Sequence, residues 1–488
     1  MLVVAGCSRA AEDARPVAGS GPAGDPAAVK FAEGLRERVT TDAMVGHLER
    51  LEDIAGRNGG NRAAGTPGYD GSVDFVAQAL RDKGFEVATP EFEVRLFRAE
   101  KPALAVAGNP VEAVALRYSA GTAAGGVGGP LVAAPADETP GCAPADYDGL
   151  PVKGAVVLVD RGSCRFTEKL AVVAKLGAVA MVVANNVDEE AMPGSLNEDN
   201  SVPVPAVSVS KADGARLRAA PGPVTLTLDA QTRVVKSRNV IAQTSTGSTD
   251  NVVMAGAHLD SVPEGPGIND NGSGVAAVLE TALQLGAAPP VAHAVRFGFW
   301  GAEELGTVGS KDYVASLDTD ALKDIALYLN FDMLASPNAG YFTYDGDQST
   351  APGRDQAVPR VPEGSAGIER TLVAYLDAAG KPARDTFFDG RSDYDAFTMA
   401  GVPAGGLFAG AEEKMTAEQA ALWGGTADAP FDPDYHKGTD TLSEINREAL
   451  GIQGGGVAYA VGLYAQDLAG RNGMPERSDR TRHLLEES

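Results

Sequence analysis

The chain has 488 residues, too many for one ordinary core, and 44% of them are hydrophobic, enough for two packed domains. A formal net charge of −25 with no Lys/Arg cluster to offset it excludes nucleic acid as a partner, because neutralising phosphates takes basic patches. No apolar run reaches the length needed to span a bilayer.

In chain order, Val4-Ala5-Gly6-Cys7 comes first and resembles the lipobox of a bacterial lipoprotein, without the basic segment and longer apolar stretch of a whole signal. A lipidated Cys7 would attach the protein to a membrane and imply an extracytoplasmic, secreted or surface-anchored location; an incidental cysteine is the other reading. Ser8 to Ala28 is rich in Ala, Gly, Pro, Asp and Ser and lacks periodicity, so residues 1–30 are assigned to a signal remnant and tether. Helical spacing of apolar residues follows from Phe31 to Ala55, with Thr40-Thr41-Asp42 as a cap. A polar loop, Asn58 to Gly71, contains R-A-A-G-T-P-G-Y. Ser72 is then expected to cap a helix over Val73 to Lys83, stopped by Gly84. Glu91 to Phe97 alternates as a strand does.

Over residues 102–232 the texture changes to short Val/Ala/Gly-rich strands punctuated by Pro and Gly, with one helix at about Phe166 to Leu176. The runs L-V-D-R-G-S-C-R-F-T-E-K-L-A-V-V-A-K-L-G-A-V-A-M-V-V-A-N-N and V-P-V-P-A-V-S-V-S resemble a protease-associated (PA) domain. That resemblance implies a small β-rich insertion that covers or filters access to a catalytic domain. Cys142 and Cys164 lie here. In an oxidising compartment they can close one disulfide loop, and two buried free thiols are the alternative.

Strand and helix patterns alternate from residue 233 to 470. Strands are expected at Val240 to Thr244, Val252 to Gly256, Ala294 to Trp300, Ile325 to Phe331 and Gly405 to Phe408, with helices between or after them. This predicts an α/β fold, a predominantly parallel sheet sandwiched by helices, built from residues 31–101 and 233–470 around the insertion. Residues 471–488 are charged and read as a loose tail.

Chemistry-bearing residues collect where these strands end. His258 and Asp260 follow the second apolar run, and Glu303 and Glu304 follow the third. Asp332 follows the fourth, Asp270 opens a small-residue helix, and His436 sits in F-D-P-D-Y-H-K-G-T-D-T. A carboxylate directly after an apolar strand is costly to bury alone, which favours a metal partner. Mixed imidazole and carboxylate donors suit zinc, and a bridging carboxylate can hold a pair of ions. The remaining histidines, His47, His293 and His483, read as structural or exposed. Gly265 to Gly274 lacks the spacing of a dinucleotide fingerprint, and Ser273 sits in no nucleophile elbow.

The motifs A-H-L-D-S, G-I-N-D-N-G-S-G, F-W-G-A-E-E-L-G, N-F-D-M, G-R-S-D-Y-D-A-F, G-V-P-A-G-G-L-F-A-G-A-E and Y-H-K-G-T-D-T resemble the two-zinc exopeptidases of metallopeptidase family 28, especially secreted bacterial aminopeptidases. The resemblance implies two Zn2+, one on His258 and Asp332, the other on Glu304 and His436, with Asp270 bridging. It implies Glu303 as general base, Asp260 orienting His258, and Tyr435 donating to the oxyanion. Arg391 would lie near the substrate backbone, and Met333 and Phe408 would wall an apolar side-chain pocket. The implied activity is release of apolar residues from peptide N-termini. A carboxypeptidase of the same fold and an inactive receptor-like binding protein are the alternatives. The second histidine loop departs from close relatives, which carry cysteines where this chain has Asp434 and Thr439.

Overall fold

Continuous apolar runs can lie in the middle of a sheet only if both faces are covered, and the runs after residue 238 do so here. The structure, a computed structural model, describes residues 25–188, 190–192, 194–350, 361–469 and 473–485. Cys7, its lipobox and most of the tether lie outside the described residues. Two units separate by contact: residues up to Phe92 with those from Lys236 onward, and Glu93–Val235 between them, wider at both ends than 102–232.

The first unit contains an eight-stranded sheet. Its strands in chain order are β1 (Glu86–Ala88), β2 (Val240–Gln243), β3 (Ser248–His258), β4 (His293–Trp300), β5 (Ile325–Phe331), β6 (Phe342–Tyr344), β7 (Arg384–Thr386) and β8 (Ala404–Phe408). Across the sheet the order is β1-β2-β4-β3-β5-β8-β6-β7. The central strands β4, β3, β5 and β8 pair in parallel, and β1, β2 and β6 join antiparallel toward the edges.

Strand periodicity sorts the side chains into two cores. Val253, Ala255, Phe297, Phe299, Leu327 and Leu329 pack on one face with the helices Gly274–Leu285 and Arg447–Gln466. Met254, Trp300 and Tyr328 pack on the other with Phe397 of helix Tyr394–Met399, where the Tyr328 and Phe397 rings stack at 3.8 Å.

Local expectations are corrected at three places. The helix expected from Val73 begins at Pro67, capped by Thr66, whose Oγ1 accepts from Tyr69 N at 3.3 Å; Ser72 is interior and donates to the Gly68 carbonyl. Proline is well placed in a first helical turn, where its missing N–H costs nothing. Part of the tether is also ordered: Asp25 caps helix Pro26–Arg36, which buries Ala28 and Ala32 beside Leu463. The tail is docked rather than loose over residues 473–485. Arg480 is 3% exposed and donates to the carbonyls of Pro475 and Lys323, and Arg482 donates to that of Ile325.

The second unit has its own eight-stranded sheet, in which Val127–Ala133, Val156–Asp160, Ala180–Ala184 and Ala206–Val209 pair in parallel with one another and antiparallel strands flank them on both sides. Helices Phe166–Lys175 and Lys211–Ala219 belong to it. Cys142 and Cys164 are disulfide-bonded, with the sulfurs 2.09 Å apart.

Candidate metal centre

Three central strands deliver their carboxyl ends to one place. Gly256 of β3 lies opposite Asn330 of β5, so His258 and Asp332 emerge level with each other two residues on. His258 Nε2 is 3.2 Å from Asp332 Oδ1. Glu303 and Glu304 follow β4 through a short turn entered by Ala302 at φ +58°.

Asp270 comes from the irregular turn Ile268–Ser273, whose Asp270–Asn271 peptide bond is cis. Gly267 leads in at φ +62°, where a Cβ would fall 2.3 Å from the Asp270 carbonyl oxygen; only glycine fits. His436 comes from the turn-rich loop after Phe431, and its ring stacks on Tyr435 at 3.8 Å.

Asp270 reaches both imidazoles. Its Oδ1 is 3.3 Å from His258 Nε2 and its Oδ2 is 3.2 Å from His436 Nε2. Glu304 Oε2 stands 3.0 Å from His436 Nε2. Donors around a tetrahedral zinc with bonds of about 2.0–2.1 Å are about 3.3 Å apart. His258 Nε2 stands at about this spacing from Asp270 and Asp332, and His436 Nε2 stands at about this spacing from Asp270 and Glu304. Glu304 Oε1 is buried without a hydrogen-bond partner among the described residues. Buried carboxylates in such excess over cationic side chains either take up protons or gain from added positive charge. The donor set fits zinc.

Electrostatics separates the carboxylates. Burial lifts the Glu303 carboxyl well above the usual range; Glu304, Asp332 and Asp393 add to this and His258 opposes it. Burial together with Asp270 pushes Glu304 up to about 7. At Asp270 burial acts upward, but hydrogen bonds from His258 and His436 outweigh it and hold the group below its ordinary value. Glu303 Oε2 stands back at 4.0 Å from His258 Nε2.

Asp260 is placed differently from a simple imidazole partner. The Asp260 backbone carbonyl lies 3.1 Å from His258 Nδ1, whereas its Oδ1 is 3.8 Å away. Its carboxylate instead accepts from the backbone N–H groups of Glu303 at 3.1 Å and Glu304 at 3.4 Å. One residue thus aims the histidine and the Glu303–Glu304 turn together.

A cavity of about 410 Å³ opens over these groups, lined on its apolar side by Met333, Phe342, Phe408 and Phe431 and on its polar side by Tyr435 and Arg391. Arg391 Nη2 donates to Tyr435 Oη at 3.2 Å and pairs with Glu412 at 3.0 Å. Sequence reasoning assigned no role to three further residues. Arg62 is fully buried and donates to the carbonyls of Leu259, Pro266 and Gly267. Asp440 accepts from the N–H groups of Asn269 at 2.7 Å and Asp270 at 3.0 Å, and Ser392 donates to Asp332 Oδ2 at 2.6 Å. Asp440 and Ser392 stand inside motifs that were legible, Y-H-K-G-T-D-T and G-R-S-D; for Arg62 the only signal was its Gly-rich loop.

Residues 239–461 match the model of peptidase family M28, and residues 127–217 match that of the PA domain. The chain is 65% identical to a probable lipoprotein aminopeptidase of Mycobacterium tuberculosis, over 99% of this chain and 96% of that one. It is 38% identical to leucine aminopeptidase 2 of Arthroderma otae, over 92% of this chain and 89% of that one. Among solved structures, a zinc aminopeptidase from Bacillus subtilis superposes with a TM-score of 0.62 at 26% identity, covering 90% of this chain and 98% of the other.

Proposed function

The chain belongs to peptidase family M28 and is a zinc-dependent aminopeptidase, and from that premise we propose that its centre takes two Zn2+ and trims apolar residues from peptide N-termini. The observation that carries the two-ion reading is Asp270, whose two oxygens each approach a different histidine, at 3.3 and 3.2 Å. His258, Asp332 and Asp270 would hold one ion, and His436, Glu304 and Asp270 the other. Zinc bound there supplies Lewis-acid polarisation of the scissile carbonyl and an acidified water.

The protein's own side chains do the rest. Glu303 carries a carboxyl that burial lifts above its ordinary range and stands back from His258 at 4.0 Å, so it takes the proton of the attacking water and returns it to the leaving amine. Tyr435 donates its hydroxyl to the developing oxyanion, held in place by Arg391. Met333, Phe342, Phe408 and Phe431 exclude water and receive an apolar side chain such as leucine. Arg391 is committed to Glu412 and Tyr435, which disfavours its use as a counter-charge for a C-terminal carboxylate. The name of the Mycobacterium relative supports work outside the cytoplasm, with Cys7 as the attachment point. No helix among the described residues is long and apolar enough to cross a membrane.

The test is hydrolysis of leucine para-nitroanilide alongside its N-acetylated form, with zinc measured in the same samples. About two zinc per chain, loss of turnover with chelator, recovery with zinc and inertness of the blocked substrate are expected. Equal hydrolysis of both substrates would sink the aminopeptidase reading, and one zinc at full activity would sink the two-ion reading.

A further inference from the structure

The unit Glu93–Val235 holds a lysine with an unusual set of neighbours. Lys169 lies on helix Phe166–Lys175 with 0% exposure, and lysine is almost never fully buried unless paired. Its Nζ donates to the Pro140 carbonyl and stands 3.5 Å from Cys142 Sγ. No carboxylate among the described residues is hydrogen-bonded to it; Asp160, Asp146 and Asp137 act only from a distance. Burial pushes the ammonium below its usual range. It is a cation in contact with one backbone carbonyl and one sulfur of a disulfide.

A thiolate at Cys142 would give that buried cation the counter-charge it lacks. Cys164 is only a residue away from the N-cap of the same helix, and a helix N-terminus also favours a thiolate. That end carries about half a charge. Lys169 carries a whole one at contact distance from Cys142, so Cys142 is the better leaving group. Both cysteines are half-buried, within reach of a small solute.

We propose that the Cys142–Cys164 bond is a thiol-exchange and S-thiolation site: a low-molecular-weight thiolate attacks Cys164 Sγ, and Cys142 departs as a thiolate paired with the Lys169 ammonium. The step balances. One S–S bond forms between the incoming sulfur and Cys164, the Cys142–Cys164 bond breaks, and its electron pair stays on Cys142. There is no net oxidation, and no proton moves because Lys169 stays charged throughout. The product carries the small thiol on Cys164 and a reactive thiolate on Cys142. This inference rests on neither the peptidase reading nor the metal centre.

The full-length protein is exposed briefly to reduced glutathione, quenched with acid, alkylated with N-ethylmaleimide and mapped by peptide mass spectrometry. Glutathione on Cys164 with maleimide on Cys142 should exceed the reverse pattern about tenfold. Lys169→Met should slow exchange about tenfold and erase the site preference. Cys164→Ser retains Lys169, so it reports even where the methionine variant fails to fold. In it, alkylation of Cys142 by iodoacetamide should titrate at least about one unit below the 8.5 of a free thiol. Glutathione on Cys142, an even distribution, a bond that resists glutathione in the folded protein, an unchanged rate in a folded Lys169→Met variant, or Cys142 titrating at about 8.5 or above would each overturn the proposal.

Discussion

Glu303 and Glu304 are adjacent in sequence and unlike in environment. The Asp260 carboxylate receives both of their backbone N–H groups, fixing a turn from which Glu304 Oε2 reaches His436 while Glu303 keeps its distance from His258. Replacing the proton carrier while keeping its shape separates chemistry from metal retention. Glu303→Gln is expected to lower kcat about 10²- to 10⁴-fold with zinc content unchanged, measured by assay and metal analysis on one sample. A variant that loses zinc in step with activity would reassign Glu303 as a ligand. Adjacent glutamates were legible from the sequence, but their division of labour was not, because it depends on an acceptor 43 residues earlier in the chain.

Loops between elements are held by buried groups that belong to no strand or helix. Arg62 stands in the loop before helix Pro67–Asp82, yet its guanidinium gathers carbonyls from Leu259 to Gly267, the segment joining His258 to Asp270. Its planar fork is what lets one side chain reach three acceptors, and lysine cannot reproduce it. Leaving a buried carbonyl unpaired costs about 1–3 kcal/mol each. Arg62→Met is therefore expected to lower the melting temperature by at least about 5 °C and to speed zinc release to a chelator about tenfold or more. A release rate equal to the parent's, followed with a colorimetric chelator, would show that the loop holds its shape without the clamp. Asp440 does the equivalent for two later residues of that segment, Asn269 and Asp270. Burial pushes its carboxyl up to about 8 even though two backbone N–H groups favour the charged form.

Taken across the chain, a net charge of −25 and several buried carboxyls make stability depend on pH. Glu369 is the clearest case outside the centre. Burial, with Asp347, Asp385 and Asp345 near it, pushes its carboxyl up to about 8 from 4.5. A folded value above the unfolded one means that the neutral group stabilises. Its contribution is full below about 4.5 and is lost as pH rises through about 8. Glutamine keeps the acceptor used by Asp347 N and removes the charge. Glu369→Gln should thus melt near the parent below about 4.5, rise progressively above it as pH climbs from about 4.5 to about 8, and keep that lead at higher pH, in calorimetric scans across pH. A difference that stays the same from about 4.5 to about 8 would mean that the Glu369 carboxyl is not raised in the fold.

Residue order alone was enough for the apolar strands and the residue types waiting at their carboxyl ends. Those features are local, since strands covered on both faces must be continuously apolar and ligands must follow them. Folding in three dimensions supplied the level emergence of His258 and Asp332, the two-sided reach of Asp270 and the docking of the tail through Arg480 and Arg482. It likewise placed a lysine against a disulfide sulfur. Each of these is a contact between residues far apart in the chain, set by strand register and by where buried polar groups find partners, and neither of those is written in any single window of sequence.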